Sequence, residues 1–208
     1  MEQHLNLVKQ ANISIFEFFN HLFGKPIFDN VMITAHYIAD PHLLYYHFIF
    51  IAILGSLMLF RVKKDHQQLK DLMIDGVSAS ITFIFSLFSL ILVFIFKNYV
   101  EAMRPFCSLE DSYNLTIITK NLICTQSFPS GHTTLTTIFI VSFWPIFNKY
   151  FKIISILMAI IIFITRMSSG AHYPVDIIGA LAIALPLSLY IRAKTELYIT
   201  KHINKVQW

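Results

Sequence analysis

The stretch "VSASITFIFSLFSLILVFIF" occupies residues 77–96 and contains no charged residue. Its twenty residues match the length that an α-helix needs to cross about 30 Å of hydrocarbon. The whole chain is similarly apolar, since 56% of its 208 residues are hydrophobic and 13% are charged. Soluble domains carry about 25% charged residues. The sequence therefore predicts an integral membrane protein.

Other apolar segments predict further membrane-spanning helices at 43–60, 133–147, 153–165 and 177–191. Pro145 and Pro186 are interpreted as kinks within their spans. The shorter segment 27–39 contains polar residues, and its length leaves open whether it also crosses. We therefore expect an all-α helical bundle of five to six transmembrane helices.

The N-terminal segment "ISIFEFFNHLF", residues 13–23, has apolar residues at helical spacing and precedes the helix-breaking Gly24-Lys25-Pro26. This pattern favours an amphipathic helix in the membrane interface. We accordingly divide the chain into an N-terminal interfacial segment at 1–26, a transmembrane domain at 27–192 and a basic cytoplasmic tail at 193–208.

The distribution of basic residues predicts the orientation of the bundle. They are concentrated in 61–71, 148–152 and 192–205, which alternate correctly as one side of the membrane. Short loops rich in Lys and Arg stay cytoplasmic, so 97–131 and 166–174 face outward. This topology explains the net charge of +4, and no nucleic-acid partner is implied.

The outward-facing segments contain residues suited to chemistry on an anion. Lys97, Arg104 and Arg166 supply three cations. His132, His172 and Asp176 can transfer protons or attack a substrate. Lys97 or Arg166 alone would be typical of a residue that anchors a helix end in the interface. Their common position suggests an anionic ligand.

Local spacing assigns roles within this set. Ser130 suits a helix N-cap, and Gly131 lets a ligand approach the free backbone amides of the next helix. His172 and Asp176 are four residues apart, so a carboxylate can orient the imidazole on one helical face. His132 has no such partner in the sequence and is the better proton donor.

These residues form three motifs: K-x6-R-P at 97–105, P-S-G-H at 129–132 and R-x5-H-x3-D at 166–176. Together they resemble the signature of the type-2 phosphatidic acid phosphatase superfamily of membrane lipid phosphatases. Thr165 departs from the serine that usually precedes the arginine, although it keeps a hydroxyl.

The resemblance implies a metal-independent phosphatase without a cofactor. His172 would attack phosphorus, Asp176 would orient His172, and His132 would protonate the leaving lipid oxygen. The phosphoryl oxygens would be held by Lys97, Arg104, Ser130, Gly131 and Arg166. The expected partners are a phosphorylated membrane lipid and the bilayer, and the sequence does not indicate an oligomeric state.

The candidate substrates are undecaprenyl diphosphate, phosphatidylglycerol phosphate, phosphatidate and the phosphates of lipid A. The short chain resembles bacterial members, so we expect an inner-membrane protein with a site facing the periplasm. Transfer of the phosphoryl group to a second lipid is an open alternative. A metal site at His132, His172 and Asp176 and a transporter or anion-binding protein are lower-ranked hypotheses.

Cys107 and Cys124 are the only cysteines, and both fall in the outward-facing loop. An oxidising compartment permits a disulfide, which would close the insert at 108–123 and bring two parts of the site together. The other histidines show no ligand spacing and are interpreted as interfacial or loop residues: His4, His21, His36, His42, His47, His66 and His202.

Overall fold

A computed structural model describes residues 2–43 and 66–203, and every regular element in these residues is helical. The α-helices are α1 Glu2–Phe23, α2 Asp29–Ile38, α3 His66–Ser86, α4 Phe88–Val100, α5 Pro105–Ser108, α6 Thr116–Thr119, α7 Gly131–Phe143, α8 Lys149–Ser168 and α9 Pro174–Ile203. Short 3-10 turns lie at Pro26–Phe28 and Pro41–Leu43. The predicted all-α class is confirmed.

Within the described ranges, three helical stretches are long and apolar enough to cross a membrane: Ile74–Ser108, Lys149–Ser168 and Pro174–His202. They contain the spans predicted at 77–96, 153–165 and 177–191, and the chain is an integral membrane protein. Residues 44–60 of another predicted span lie outside the described residues. The number of five to six spans therefore stays a prediction.

The helix expected at 133–147 begins and ends earlier than predicted. α7 covers Gly131–Phe143, and thirteen residues rise about 20 Å, which is less than the hydrocarbon thickness. Pro145 lies in the turn after α7, so its interpretation as a kink within a span is wrong. A proline has no N–H to continue the helical hydrogen bonds. Pro186, in contrast, lies inside α9.

α7 is the central helix of the described bundle and is buried on nearly all sides. It packs against α9 and α3 through a core formed by Ala79, Phe83, Leu135, Ile138, Phe143, Phe147 and Ala184. Ala180 and Ala184 on α9 are fully buried. Small residues of this kind let membrane helices approach closely, which fixes the start of α9 beside the start of α7.

Hydrogen bonds between backbones join several helix ends at one end of the bundle. The N–H of Ser130, before α7, donates to the carbonyl of Asp176 in α9 at 3.0 Å. The N–H of His172 donates to the carbonyl of Arg166 in α8 at 3.0 Å. The N–H of Ser127 donates to the carbonyl of Ala102, after α4, at 2.8 Å. The structure thus brings the three sequence motifs together.

Two glycines permit close approaches at this end. Gly170 has φ +78°, where side chains are disfavoured, and a Cβ there would lie 2.8 Å from the carbonyl oxygen of Tyr113. Gly179 in α9 packs against the ring of Phe128, which a Cβ would approach to 2.2 Å. The first glycine turns the chain from α8 towards His172, and the second seats the loop before α7 on α9.

α1 and α9 bear on the predicted domain limits. α1 packs against α8 and α9, with Phe16 and Asn20 fully buried. α9 continues through residue 192 to Ile203, so the proposed boundary between 192 and 193 falls inside a helix. The N-terminal helix therefore belongs to the packed structure around the loop between α4 and α7, and its interfacial position stays a prediction.

Asn20 links α1 by hydrogen bonds to the loop between α5 and α6 and to the end of α8. Its Nδ2 donates to the carbonyls of Tyr113 at 3.1 Å and Ser168 at 3.0 Å, and its Oδ1 accepts the N–H of Tyr113 at 2.7 Å. Asn20→Ala would leave these buried groups without partners. We expect the free energy of unfolding to fall by about 1–3 kcal/mol, measured by thermal unfolding in detergent.

The matched control is Asn6→Ala, because Asn6 is exposed on the same helix. It should leave the unfolding temperature unchanged. Equal unfolding temperatures for the two variants would show that the Asn20 bonds do not stabilise the fold.

Candidate active site

His172 and Asp176 form a buried pair at the start of α9. Nδ1 of His172 lies 3.3 Å from Oδ2 of Asp176, and both side chains are at most 3% exposed. The same carboxylate oxygen accepts the N–H of Tyr173 at 2.8 Å and the hydroxyl of Ser127. The predicted spacing of four residues thus places the carboxylate against the imidazole.

The neighbours of His172 define its tautomer. A carboxylate accepts hydrogen bonds, so Nδ1 carries the proton. On the other side of the ring, a guanidinium nitrogen of Arg104 lies 3.3 Å from Nε2, and a guanidinium only donates. Nε2 therefore presents a lone pair. Burial, and after it the charge of Arg104, lower the pKa of His172 well below its usual value, which keeps Nε2 unprotonated, with its lone pair facing the Arg104 guanidinium.

Arg104 and Lys97 donate hydrogen bonds to backbone carbonyls of the loop before α7, and Arg104 also donates to one carbonyl of the loop before α9. The Arg104 guanidinium donates to the carbonyls of Ile123, Gln126 and Ala171 at 2.9–3.0 Å. Lys97 Nζ donates to the carbonyl of Gln126 at 2.6 Å. These bonds fix the loop that carries Ser127 and leave both positive charges beside His172.

Arg166 is 1% exposed, and its Nε has no partner among the described residues. One guanidinium nitrogen donates to Nδ1 of His36 at 3.0 Å. In residues 2–43 and 66–203, no carboxylate oxygen lies within 4.0 Å of Lys97, Arg104 or Arg166. In the described part of the chain these three basic side chains thus have no carboxylate partner, an arrangement that suits an anionic ligand.

Ser130 caps α7, as its position predicts. Its Oγ accepts the N–H of Thr133 at 3.4 Å and the Thr133 hydroxyl at 3.1 Å. The backbone at Gly131 lies under Pro41, whose Cγ would be 3.4 Å from an added Cβ. The start of α7, with its positive dipole end, is therefore covered by the segment that follows α2.

His132 has a partner that the sequence analysis did not assign. Its Nε2 lies 2.8 Å from Nδ1 of His36, and the two rings stack with centroids 4.7 Å apart. The interpretation of His36 as an interfacial or loop residue is therefore wrong, because α2 packs against α8 and brings His36 into the site. The signal was the spacing to Asp40, which equals that of His172 and Asp176.

Ser127 is the second residue that sequence reasoning missed. Its Oγ lies 3.4 Å from Nδ1 of His172 and donates to Asp176. It stands three residues before Ser130 in the same loop, but no spacing rule connects it to Asp176. Only the fold, in which this loop crosses the start of α9, reveals the contact.

The three-residue metal set considered from the sequence does not form. Among the described residues, His36, Asp40 and His132 are instead the group whose potential ligand atoms lie within 4.8 Å of one another. Arg166 donates to Nδ1 of His36 at 3.0 Å, and His132 Nε2 lies 2.8 Å from the same nitrogen, so its lone pair faces two protein groups and a positive charge lies beside it. The donor set therefore fits a divalent metal poorly.

Cys107 and Cys124 are joined in a disulfide, with their Cα atoms 5.6 Å apart. The bond lies against the site, because the N–H of Arg104 donates to the carbonyl of Cys124 at 2.8 Å. The disulfide closes the insert at 108–123 and holds the K-x6-R-P motif next to the loop that leads into α7.

These features define a membrane-embedded histidine and aspartate site surrounded by cations and covered by a short helix. The PAP2 superfamily matches residues 79–196, which include all three motifs and more than half of the chain. The chain belongs to the PAP2 superfamily, and the resemblance stated from the motifs is confirmed.

Two curated relatives share part of the sequence. A lipid A 1-phosphatase of Rhizobium johnstonii is 42% identical over 64 residues, which are 31% of this chain and 26% of that protein. A lipid A 1-phosphatase of Rhizobium etli is 44% identical over 57 residues, which are 27% and 24%. The chain thus matches about a quarter of the length of these relatives.

Two solved structures share the fold. LpxE of Aquifex aeolicus has a TM-score of 0.58 and 21% identity, and covers 92% of this chain and 96% of its own. The PAP2-type phosphatidylglycerolphosphate phosphatase of Bacillus subtilis has a TM-score of 0.59 and 23% identity, and covers 97% and 89%. At these identities the similarity establishes the membrane helical fold.

The disulfide generates a prediction that is independent of activity. Protein from its native membrane should show no free thiol on alkylation under non-reducing conditions. Reduction should lower the unfolding temperature, because closing a loop of this size contributes about 3 kcal/mol. A variant with both Cys107→Ser and Cys124→Ser is the control, and its unfolding temperature should not respond to reductant. Two readily alkylated cysteines in the native protein would contradict the bond.

Proposed function

We propose that this protein is a lipid phosphatase that hydrolyses a phosphate monoester or diphosphate of a membrane lipid through a phosphohistidine intermediate. The observation that carries the proposal is the unprotonated Nε2 of His172 next to cations that have no carboxylate oxygen within 4.0 Å in the described residues. A phosphoryl group placed there would meet its nucleophile and its counter-charges together. Membership of the PAP2 superfamily supports the same reaction class.

In the first step, Nε2 of His172 forms a bond to phosphorus while the bond from phosphorus to the lipid oxygen breaks. His132 gives a proton to that departing oxygen. Asp176 accepts a hydrogen bond from the Nδ1–H of His172 and stabilises the positive charge that develops on the imidazole ring. Ser127 and the N–H of Tyr173 hold the carboxylate in place for this purpose.

In the second step, water attacks phosphorus, the bond from phosphorus to His172 breaks, and neutral His132 accepts a proton from the water. The three cations and the amides at the start of α7 would stabilise the phosphoryl oxygens in both steps. Lys97 and Arg104 already bind the loop, so their role towards phosphate requires only their remaining donors and their charge. The reaction as proposed needs neither a metal nor a cofactor.

The substrate is proposed from chemistry and from the names of relatives. Lipid A and phosphatidylglycerol phosphate join phosphatidate and undecaprenyl diphosphate as candidates, because all present a phosphate at the membrane surface. We place the site on the periplasmic side of a bacterial inner membrane. The distribution of basic residues and the disulfide beside Arg104 support this orientation.

The roles of the two histidines predict different responses to the leaving group. His172→Ala should abolish phosphate release from every substrate. His132→Ala should slow release from phosphatidate by about 10²- to 10⁴-fold, the usual contribution of general acid catalysis. With p-nitrophenyl phosphate, whose leaving group needs no proton, His132→Ala should recover much of its rate. Steady-state kinetics in detergent measure these effects.

Equal rescue of both variants by the activated substrate would overturn the assignment. The same assays in excess chelator test metal independence, and full activity is expected. Radiolabelled phosphate that appears on a lipid acceptor, with little free phosphate, would favour transfer between lipids over hydrolysis.

A further inference from the structure

His36 lies in the active site although it belongs to none of the three motifs. It is near the end of α2, and its ring stacks on that of His132. Arg166 contacts its Nδ1 at 3.0 Å, and Asp40 lies 3.9 Å from its Nε2. The two nitrogens of His36 thus face groups of opposite charge.

This arrangement determines where the protons lie. Arg166 only donates, so Nδ1 of His36 must be an acceptor and the proton must be on Nε2, towards the Asp40 carboxylate. The contact of 2.8 Å between Nδ1 of His36 and Nε2 of His132 then has one possible direction. His132 donates from Nε2, and its Nδ1 is the nitrogen left to act on the substrate.

We propose that His36 is the positioning residue of His132. Nδ1 of His36 accepts a hydrogen bond from the Nε2–H of His132, and this bond orients Nδ1 of His132 towards the leaving lipid oxygen. This inference rests on the proposed function and adds to it a residue outside the motifs. The site then contains two His–Asp pairs with the same sequence spacing: His172 lies 3.3 Å from Asp176, and His36 lies 3.9 Å from Asp40, which is beyond a direct hydrogen bond.

The pairing has a defined effect on each step. In the first step, doubly protonated His132 transfers its Nδ1 proton to the lipid oxygen. It retains its Nε2 proton, which stays hydrogen-bonded to Nδ1 of His36. In the second step, neutral Nδ1 takes a proton from water. Burial, and after it the charge of Arg166, lower the pKa of His132 well below its usual value. The fixed acceptor on His36 acts against this shift, because it stabilises the charged form of His132. Protons balance over the cycle without any net change in His36.

The alternative occupant of this cluster is a metal ion bound by His36, Asp40 and His132. Two observations favour the hydrogen-bonded pairing. The nitrogens of the two histidines are 2.8 Å apart, which is the length of a hydrogen bond and shorter than the separation of about 3.3 Å expected for two tetrahedral ligands at about 2.0 Å from zinc. The Arg166 guanidinium, 3.0 Å from Nδ1 of His36, also places a positive charge where a metal ion would bind, whereas the N–H groups of Arg166 and His132 can share the single lone pair of Nδ1 as a bifurcated acceptor.

Two variants separate the acceptor from the shape of the ring. His36→Phe keeps a planar ring but removes the acceptor, whereas His36→Asn places an amide oxygen near the position of Nδ1. Tyr37→Phe is the matched control, since Tyr37 is exposed on the same helix. The rates are measured on phosphatidate and on p-nitrophenyl phosphate, together with the unfolding temperature of each variant.

We expect His36→Phe to lower kcat on phosphatidate by about 10- to 100-fold, less than the loss of the general acid itself, with KM nearly unchanged. The loss should shrink with p-nitrophenyl phosphate. His36→Asn should retain most of the activity, and Tyr37→Phe should behave as the wild type. A structural role alone would lower both rates equally and reduce the unfolding temperature.

Several results would overturn the inference alone: equal kcat for His36→Phe and the wild type, equal losses on both substrates, or the same loss in His36→Asn. Loss of wild-type activity in chelator, with recovery on adding zinc, would assign the cluster to a metal. A wild type that releases phosphate from none of the four candidate lipids and not from p-nitrophenyl phosphate would instead overturn the proposed function.

A measurement that does not depend on turnover tests the pairing directly. In ¹⁵N-histidine-labelled protein, the neutral form of His132 should carry its proton on Nε2, and His36→Phe should change that tautomer. An Nδ1-protonated His132 in the wild type would contradict the proposal even if no substrate were found.

Discussion

Arg104 and Arg166 lie buried beside His172, with no carboxylate oxygen of the described residues within 4.0 Å of either guanidinium, and the rest of the site follows from that constraint. Removing a charged group from water costs several kcal/mol unless other groups replace its hydration. Arg104 recovers this cost through three backbone carbonyls. Among the described residues, Nε of Arg166 has no hydrogen-bond partner, and an incoming anion would satisfy this donor. These features support the proposal that the site binds a phosphoryl group.

The surrounding structure keeps these charges in place. The bonds from Arg104 and Lys97 hold the loop before α7, and that loop presents Ser127 to Asp176. Asn20 fixes the turn after α8, which contains Gly170 and leads to His172. Because each contact joins segments far apart in sequence, the geometry of the histidines depends on the packing of this whole end of the helical bundle.

The sequence was sufficient for the membrane class and for the residues that meet at one end. Uncharged length predicts a span, and the spacing of His172 to Asp176 predicts a shared helical face. The limits of α7 were wrong because a span was read from apolar character through Pro145, which cannot continue the helical bonds. Ser127 and His36 were missed because their partners come from other helices. Only the repeated spacing of His36 and Asp40 was visible in advance, and it gave no reason to place α2 over the site.

The central claim is that His172 attacks phosphorus with a neutral Nε2, and one measurement tests it most directly. Wild-type protein in detergent is mixed with ³²P-labelled phosphatidate, quenched with alkali within milliseconds and digested for mass spectrometry. The account predicts an acid-labile, alkali-stable phosphoryl group on the peptide that contains His172, absent from His172→Ala. Rapid phosphate release with no phosphoryl group on His172, or with the group on another residue, would contradict it.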